Sequence, residues 1–469
     1  MNESAGSSSP TGLLRELVRR LRPPFSRGGR PPGKDVAAAR MRAQVDVLRR
    51  AFREAGLEVA GAPVEGSRPP RDDADVHYLY RPGRALLREA DFERVRDFLD
   101  TDEQRRRFEG ELGRDESRVP GLVLATLPRR RDRRDDVLAT LEEIQEAGIL
   151  PPDAITPDHV VYVTPKGYLC PATEPETPAD RRPRPWPPAA RASARGRGEQ
   201  VRVAVVDTGL WTDAVGSKQS PWLDASTVFA DPSDVEVVDP QAIHPYAGHG
   251  TFVAGVIGCL APGTRVEVEG VLTHGGAVYE SEIVAQLHEA INDDDHPQVI
   301  SISAGTHTRG DFASLGFAVL GEVNRLSERE DVLVVAAAGN DGSDKPFWPA
   351  AFDWVVGVGS VDPDAKASDF SNVGPWVDVF ARGRDLVNAF PKGVYTCHEP
   401  PNAGQVRTFD GLARWSGTSF STPVVTGLVA ARMRATGQSA RSAWNDVLAG
   451  ATTTTDPRAG QIQVVGPLT

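Results

Sequence analysis

From Val201 onward the chain alternates short, almost continuously apolar runs with stretches of helical periodicity, and few folds satisfy that pattern. The runs are Val201–Val206, Val266–Leu272, Val299–Ser303, Val332–Ala338 and Trp354–Val358. Helical stretches fall near 249–260, 280–292 and 312–328, and two more follow, from Ser419 through Met433 and near 439–449. A strand that is apolar at nearly every residue is buried on both faces, whereas a half-exposed strand alternates. Helices between such strands supply both covers. The expected fold is α/β, a doubly wound, mostly parallel sheet with helices on each side.

Upstream the pattern is different. Asp35 reads as an N-cap, Met41, Val45, Leu48 and Phe52 share one helical face, and Gly56 is a stop. Val76–Tyr80, Leu122–Leu127 and Val160–Val163 read as strands, with helices near 90–100 and 135–147 between them. This order predicts a smaller N-terminal α/β domain over 35–168. Residues 1–34 are rich in Ser, Arg, Gly and Pro and are expected to be disordered. Residues 169–199 are dense in Pro, Arg, Ala and Glu and read as an extended linker. The parallel-sheet domain then occupies 200–469.

Composition excludes some partners. The formal net charge of −12 leaves no positive excess to meet nucleic-acid phosphates. No stretch reaches the roughly 18 apolar residues of a membrane span. Leu13–Leu21 interleaves leucines with Arg15, Glu16, Arg19 and Arg20 and forms no apolar leader core, so the expected location is cytoplasmic, with secretion the alternative. Cys170, Cys259 and Cys397 are too sparse, and odd in number, for a disulfide framework.

Three segments place reactive residues where a parallel sheet presents them. Val203-Ala-Val-Val-Asp207-Thr-Gly209 is a buried strand ending in an aspartate, and sites on such sheets form beyond the carboxyl ends of strands. Taken alone, Asp207 also fits a turn cap. Gly248-His249-Gly250-Thr-Phe-Val-Ala-Gly255-Val-Ile-Gly258 opens a helix with a histidine, and its glycines, costly in a helix, point to close packing. In Gly417-Thr418-Ser419-Phe420-Ser421-Thr422-Pro423 a serine stands at a helix N-terminus, where free N–H groups favour a developing negative charge. A simple serine N-cap does not account for the whole string.

Together, in the order Asp, His, Ser, these motifs resemble those of subtilisin-like serine proteases. The resemblance spans roughly 200–450 and implies a Ser-His-Asp endopeptidase with Asp207, His249 and Ser419 as its triad. Val335-Ala-Ala-Ala-Gly339-Asn340-Asp-Gly342 resembles the family's oxyanion segment, with Asn340 as side-chain donor. Ser303-Ala304-Gly305 resembles its substrate-binding edge, and Ala338 and Gly339 the facing wall. Small residues there suggest a roomy, apolar pocket. The segment Ser368 to Asp378 resembles a structural part of the family core. Phe252 stands where many members carry a second histidine, and Phe420 and Ser421 replace the more frequent Met and Ala. Both departures are expected to stay clear of the chemistry.

The resemblance implies a protein or peptide substrate, no nucleic acid or membrane partner, and no redox or organic cofactor. Calcium often stabilises family members, but no calcium loop matches residue by residue, so no metal ligand is assigned. The N-terminal domain is a candidate prodomain or regulatory module that contacts the peptidase domain, and Arg181–Arg197 could be an autoprocessing site or a solvated linker. Three functions are weighed: an intracellular processing or regulatory protease, a secreted degradative protease activated by prodomain removal, and a non-catalytic scaffold. The intact residue set argues against the last.

Overall fold

The computed structural model describes residues 34–63, 70–115, 117–131, 137–163, 174–180, 182–190 and 200–468. The expected basic N-terminus, part of the linker, much of the Arg181–Arg197 stretch and Cys170 lie outside these residues.

The apolar runs form the centre of a nine-stranded sheet. In spatial order its strands are Thr452–Asp456, Gly460–Val465, Val379–Arg382, Val355–Val361, Leu333–Ala337, Val299–Ile302, Arg202–Val206, Arg265–Glu269 and Val228–Phe229. All neighbours are parallel except the hairpin Thr452–Asp456 with Gly460–Val465. Side-chain alternation sorts the strands onto two cores. Val203, Val205, Val299, Leu333 and Val335 pack with the helices His249–Leu260 and Thr418–Thr436. Val206, Ile300, Ile302, Val334 and Ala336 pack with Glu280–Asn292 and Leu315–Val323 on the other face. The strand order reverses at Arg202–Val206, which lies between Arg265–Glu269 and Val299–Ile302. Ligands of doubly wound sheets bind at such a switch point, beyond the carboxyl ends.

Some boundaries shift for local reasons. The helix expected over 312–328 is confined to Leu315–Val323, because Asp311 and Arg325 take positive φ angles on either side of it. The strand expected at Trp354–Val358 runs on to Val361. Asp35 lies in the first turn of the helix Lys34–Glu54 rather than capping it.

The N-terminal residues build a second sheet, ordered Ala277–Tyr279, Ile155–Tyr162, Tyr78–Arg88, Leu122–Thr126 and Gly113–Asp115, with Ala60–Ala62 also on Tyr78–Arg88. Every pair in it is antiparallel. Its edge strand Ala277–Tyr279 belongs to the large domain, so the two domains share one sheet. All eight residues of Ile155–Tyr162 are buried, Asp158 and His159 included. The described parts of the linker lie along the large domain: Glu176 bridges to Arg414 and Trp186 to Val387.

Candidate active site

Three strand ends converge at the switch point. Asp207 follows Arg202–Val206, Ser303 follows Val299–Ile302, and Ala338 to Asn340 follow Leu333–Ala337. His249 and Ser419 come from the starts of two helices that pack against each other, His249–Leu260 and Thr418–Thr436.

Asp207 is fully buried, and its Oδ1 lies 2.7 Å from His249 Nδ1 and accepts the Thr208 N–H at 2.8 Å. That contact favours the tautomer with hydrogen on Nδ1, which leaves Nε2 as the basic nitrogen. The helix glycines permit the approach. A Cβ on Gly250 would stand 2.5 Å from the Gly209 carbonyl oxygen and 3.2 Å from Asp207 Cβ, and one on Gly255 would stand 2.1 Å from Asn388 Oδ1. Gly248, at φ +76°, begins the helix and donates its N–H to Glu236 Oε2 at 2.6 Å. Glu236 is itself buried beside the dyad. Burial, reinforced by the nearby Asp207 charge, pushes its carboxyl up to about 8.

Ser419 is buried at the helix N-terminus. Its Oγ donates to the Ser303 carbonyl at 3.2 Å, and Ser303 Oγ donates back to the Ser419 carbonyl at 2.8 Å. The next residue, Phe420, sets its ring 5.1 Å from the imidazole, which Trp415 also contacts edge-on at 5.4 Å. Phe252 packs on both Phe420 and Trp415. The two departures from the family pattern thus form one aromatic cluster against His249. The departures were expected to stay clear of the chemistry; the structure places the ring of Phe420 directly against the imidazole, with Phe252 behind it.

Asn340 commits its amide oxygen to the Thr418 N–H at 2.8 Å and the Thr418 hydroxyl at 3.1 Å. Its Nδ2 lies on the other side of the amide, 3.5 Å from where a Cβ on Gly417 would stand. Asn372 fixes this loop: its Nδ2 donates to the Ala338 carbonyl, its Oδ1 accepts from the Asp341 and Ser343 N–H groups, and its own N–H bonds to the Gly339 carbonyl. Sequence reading placed Asn372 in a structural segment without singling it out. Its neighbours Ser371 and Gly374 gave no sign of a partner more than thirty positions upstream.

The edge Ser303-Ala304-Gly305 is paired, and the strand on it comes from the N-terminal domain. Tyr162 N–H donates to Gly305 O at 3.0 Å, Gly305 N–H to Tyr162 O at 3.1 Å, and Val163 N–H to Gly276 O at 2.9 Å. Tyr162 and Val163 line the same small cavity as Ser303, Ala304, Gly339, Asn340 and Ser419. Small residues led to the expectation of a roomy pocket; among the described residues, and with Tyr162 and Val163 in place, the cavity there is about 10 Å³. Phe347, unremarked in the sequence, fills the space between Gly305 and Gly339. Among the described residues no group of three His, Cys, Asp or Glu side chains could hold a metal ion, and no helix is long and apolar enough to cross a membrane.

Comparison with known proteins agrees with this architecture. The subtilase family matches residues 198–465, more than half of the chain. An intracellular serine protease of Paenibacillus polymyxa is 32% identical over 258 residues, covering 52% of this chain and 69% of the relative. The major intracellular serine protease of Bacillus subtilis is 29% identical over 250 residues, covering 50% and 68%. An extracellular serine proteinase of a Thermus species is 31% identical over 258 residues, covering 53% and 54%. With its mostly parallel sheet and its segments brought together at the strand ends, the chain belongs to the subtilase family and is a subtilisin-like serine endopeptidase.

Proposed function

We propose that Ser419, His249 and Asp207 carry out peptide-bond hydrolysis as nucleophile, general base and orienting carboxylate. The observation that carries this reading is the buried 2.7 Å contact of Asp207 with His249 Nδ1 beside a serine at a helix N-terminus. A serine hydroxyl is a weak nucleophile until an adjacent base takes its proton. Rotation about χ1 moves Oγ from the Ser303 carbonyl to His249 Nε2. Oγ then bonds to the substrate carbonyl carbon, and its proton passes to Nε2. Asn340 Nδ2 and the Ser419 N–H stabilise the oxyanion. Collapse breaks the C–N bond, the amine leaves with the proton from Nε2, and water repeats the sequence to release the acid. The substrate is an extended protein segment that pairs with Ser303–Gly305 as an added strand.

The N-terminal domain acts as a prodomain or regulatory module that occupies the cleft. The pairing of Tyr162 and Val163 supports this reading. An intracellular processing role is proposed on the names of two relatives alone. Cell fractionation tests it: recovery in the medium would overturn that part and leave the chemistry standing.

A fluorophosphonate probe tests the triad. The wild type takes up one label on Ser419, and Ser419→Ala takes up none. His249→Ala falls by about 10³-fold or more in labelling rate, since the base is gone. Labelling elsewhere, or equal labelling of Ser419→Ala, would overturn the assignment.

A further inference from the structure

The pairing of Tyr162 with Gly305 gives the path of a bound peptide, and Phe347 gives the size of its last pocket. In an antiparallel pair, two steps forward along one strand are two steps back along the other. A peptide laid in the register of Tyr162 therefore sets the second residue beyond that position against Ser303. The Ser303 carbonyl holds Ser419 Oγ, so this residue presents its carbonyl to the nucleophile. Residues two apart on a strand share a face. On that face the Tyr162 ring meets Phe347 edge-on, with centroids 6.3 Å apart.

Phe347 lies against both glycines that wall the space. A Cβ on Gly305 would stand 2.3 Å from its Cε1, and a Cβ on Gly339 would stand 3.1 Å from its Cδ1. With Tyr162 and Val163 in place, the volume left beside Ser419, Asn340 and Phe347 is about 10 Å³, the size of one water-sized probe sphere. The ring is held in place from behind. His307 packs on it at 5.2 Å, and His307 is fixed by Asp341 Oδ2 at 2.9 Å and the Pro346 carbonyl at 3.1 Å. Thr306 and Trp348 exchange both backbone hydrogen bonds, at 2.8 and 2.9 Å. This pairing fixes the backbone that carries the ring.

We propose that Phe347 is a specificity-determining residue that restricts the substrate residue on the N-terminal side of the cleaved bond to small side chains such as Gly, Ala or Ser. The inference rests on Ser419 being the nucleophile. A large side chain would have to displace a buried ring clamped on three sides, and interiors resist such overpacking.

Two tripeptidyl diphenyl phosphonates test this on the full-length protein, one ending in the alanine analogue and one in the phenylalanine analogue, with a fluorophosphonate as size-independent control. Occupancy of the cleft by Tyr162 and Val163 slows both peptidyl probes alike and cancels in their ratio. The wild type is expected to react at least about tenfold faster with the alanine probe, the scale of a pocket misfit. Phe347→Ala is expected to reverse the preference, and the milder Phe347→Leu to narrow it. The fluorophosphonate rate shows that each variant is folded. Equal rates in the wild type, or an unchanged ratio in both variants, would overturn the proposal; where the occupied cleft admits neither peptidyl probe, the same ratio is read with the strand loosened by Val163→Asp, and the same outcomes decide. Failure of the fluorophosphonate itself on the wild type would overturn the nucleophile assignment first, and this inference with it.

Discussion

At the scale of single residues, Asn340 divides its amide between two tasks. Its oxygen anchors the Thr418 turn, and in the proposed mechanism its Nδ2 serves charge that develops only in the transition state. Asn340→Ala is therefore expected to lower kcat by about 10²–10³-fold, a magnitude known from subtilisin itself, with little change in KM. Steady-state kinetics on an unfolded substrate check this, and a loss confined to KM would contradict it. The residues proposed to react could be picked out in the sequence because each sits in a contiguous string whose chemistry is local. Asp207 ends an apolar strand, His249 opens a glycine-rich helix, and Ser419 opens another. Phe347 and Glu236 were not legible, since each acts on residues remote in sequence. A glycine at 305 or 339 signals that a Cβ does not fit, but not whether the space is open or holds a ring from elsewhere.

At the scale of elements, continuous apolar runs gave the inner parallel strands, since burial on both faces leaves a pattern no loop imitates. The outer strands were missed for the converse reason. Thr452–Asp456 is a mostly exposed run of threonines at the sheet edge, and Ala277–Tyr279 spans three residues. Close packing of the helix His249–Leu260 was legible in kind: its glycines allow close approach to Gly209 and Asn388. The strand Ile155–Tyr162 carries a titratable contact with the helix Glu280–Asn292. Asp158 accepts from the Ser281 N–H at 2.9 Å and the Ser281 hydroxyl at 2.8 Å, with Arg81, Glu280 and His159 nearby. Burial pushes its carboxyl up to about 7 from an ordinary value of 3.8. Docking thus holds a proton that the undocked strand gives up. It is strongest below the ordinary value and weakens as pH rises toward 7, beyond which this contribution is flat. Asp158→Asn, which cannot ionise, is expected to remove that dependence. Hydrogen exchange of the Ser281 amide across pH 4–7, corrected for intrinsic rates, checks it; an unchanged pH slope in the variant would contradict it.

At the scale of the whole molecule, the two domains share a sheet, and the end of its strand Ile155–Tyr162 pairs with Gly305, on the edge whose Ser303 bonds Ser419. The existence of a small upstream domain, and from the family resemblance its contact with the peptidase domain, could be read from the sequence. Its place in the cleft could not, because the pairing of Tyr162 with Gly305 is made by backbone atoms that any sequence supplies. Val163 sits in the core cluster that includes Val161, Tyr246 and Leu272, so an aspartate there strands a charge in apolar surroundings and loosens the strand from the cleft. In that Val163→Asp background, the decisive measurement is mass spectrometry of an unfolded test protein incubated with the full-length chain, with and without Ser419→Ala. The account predicts fragments that accumulate only when Ser419 is present. Equal fragmentation with and without Ser419, or an intact test protein in both, would contradict it.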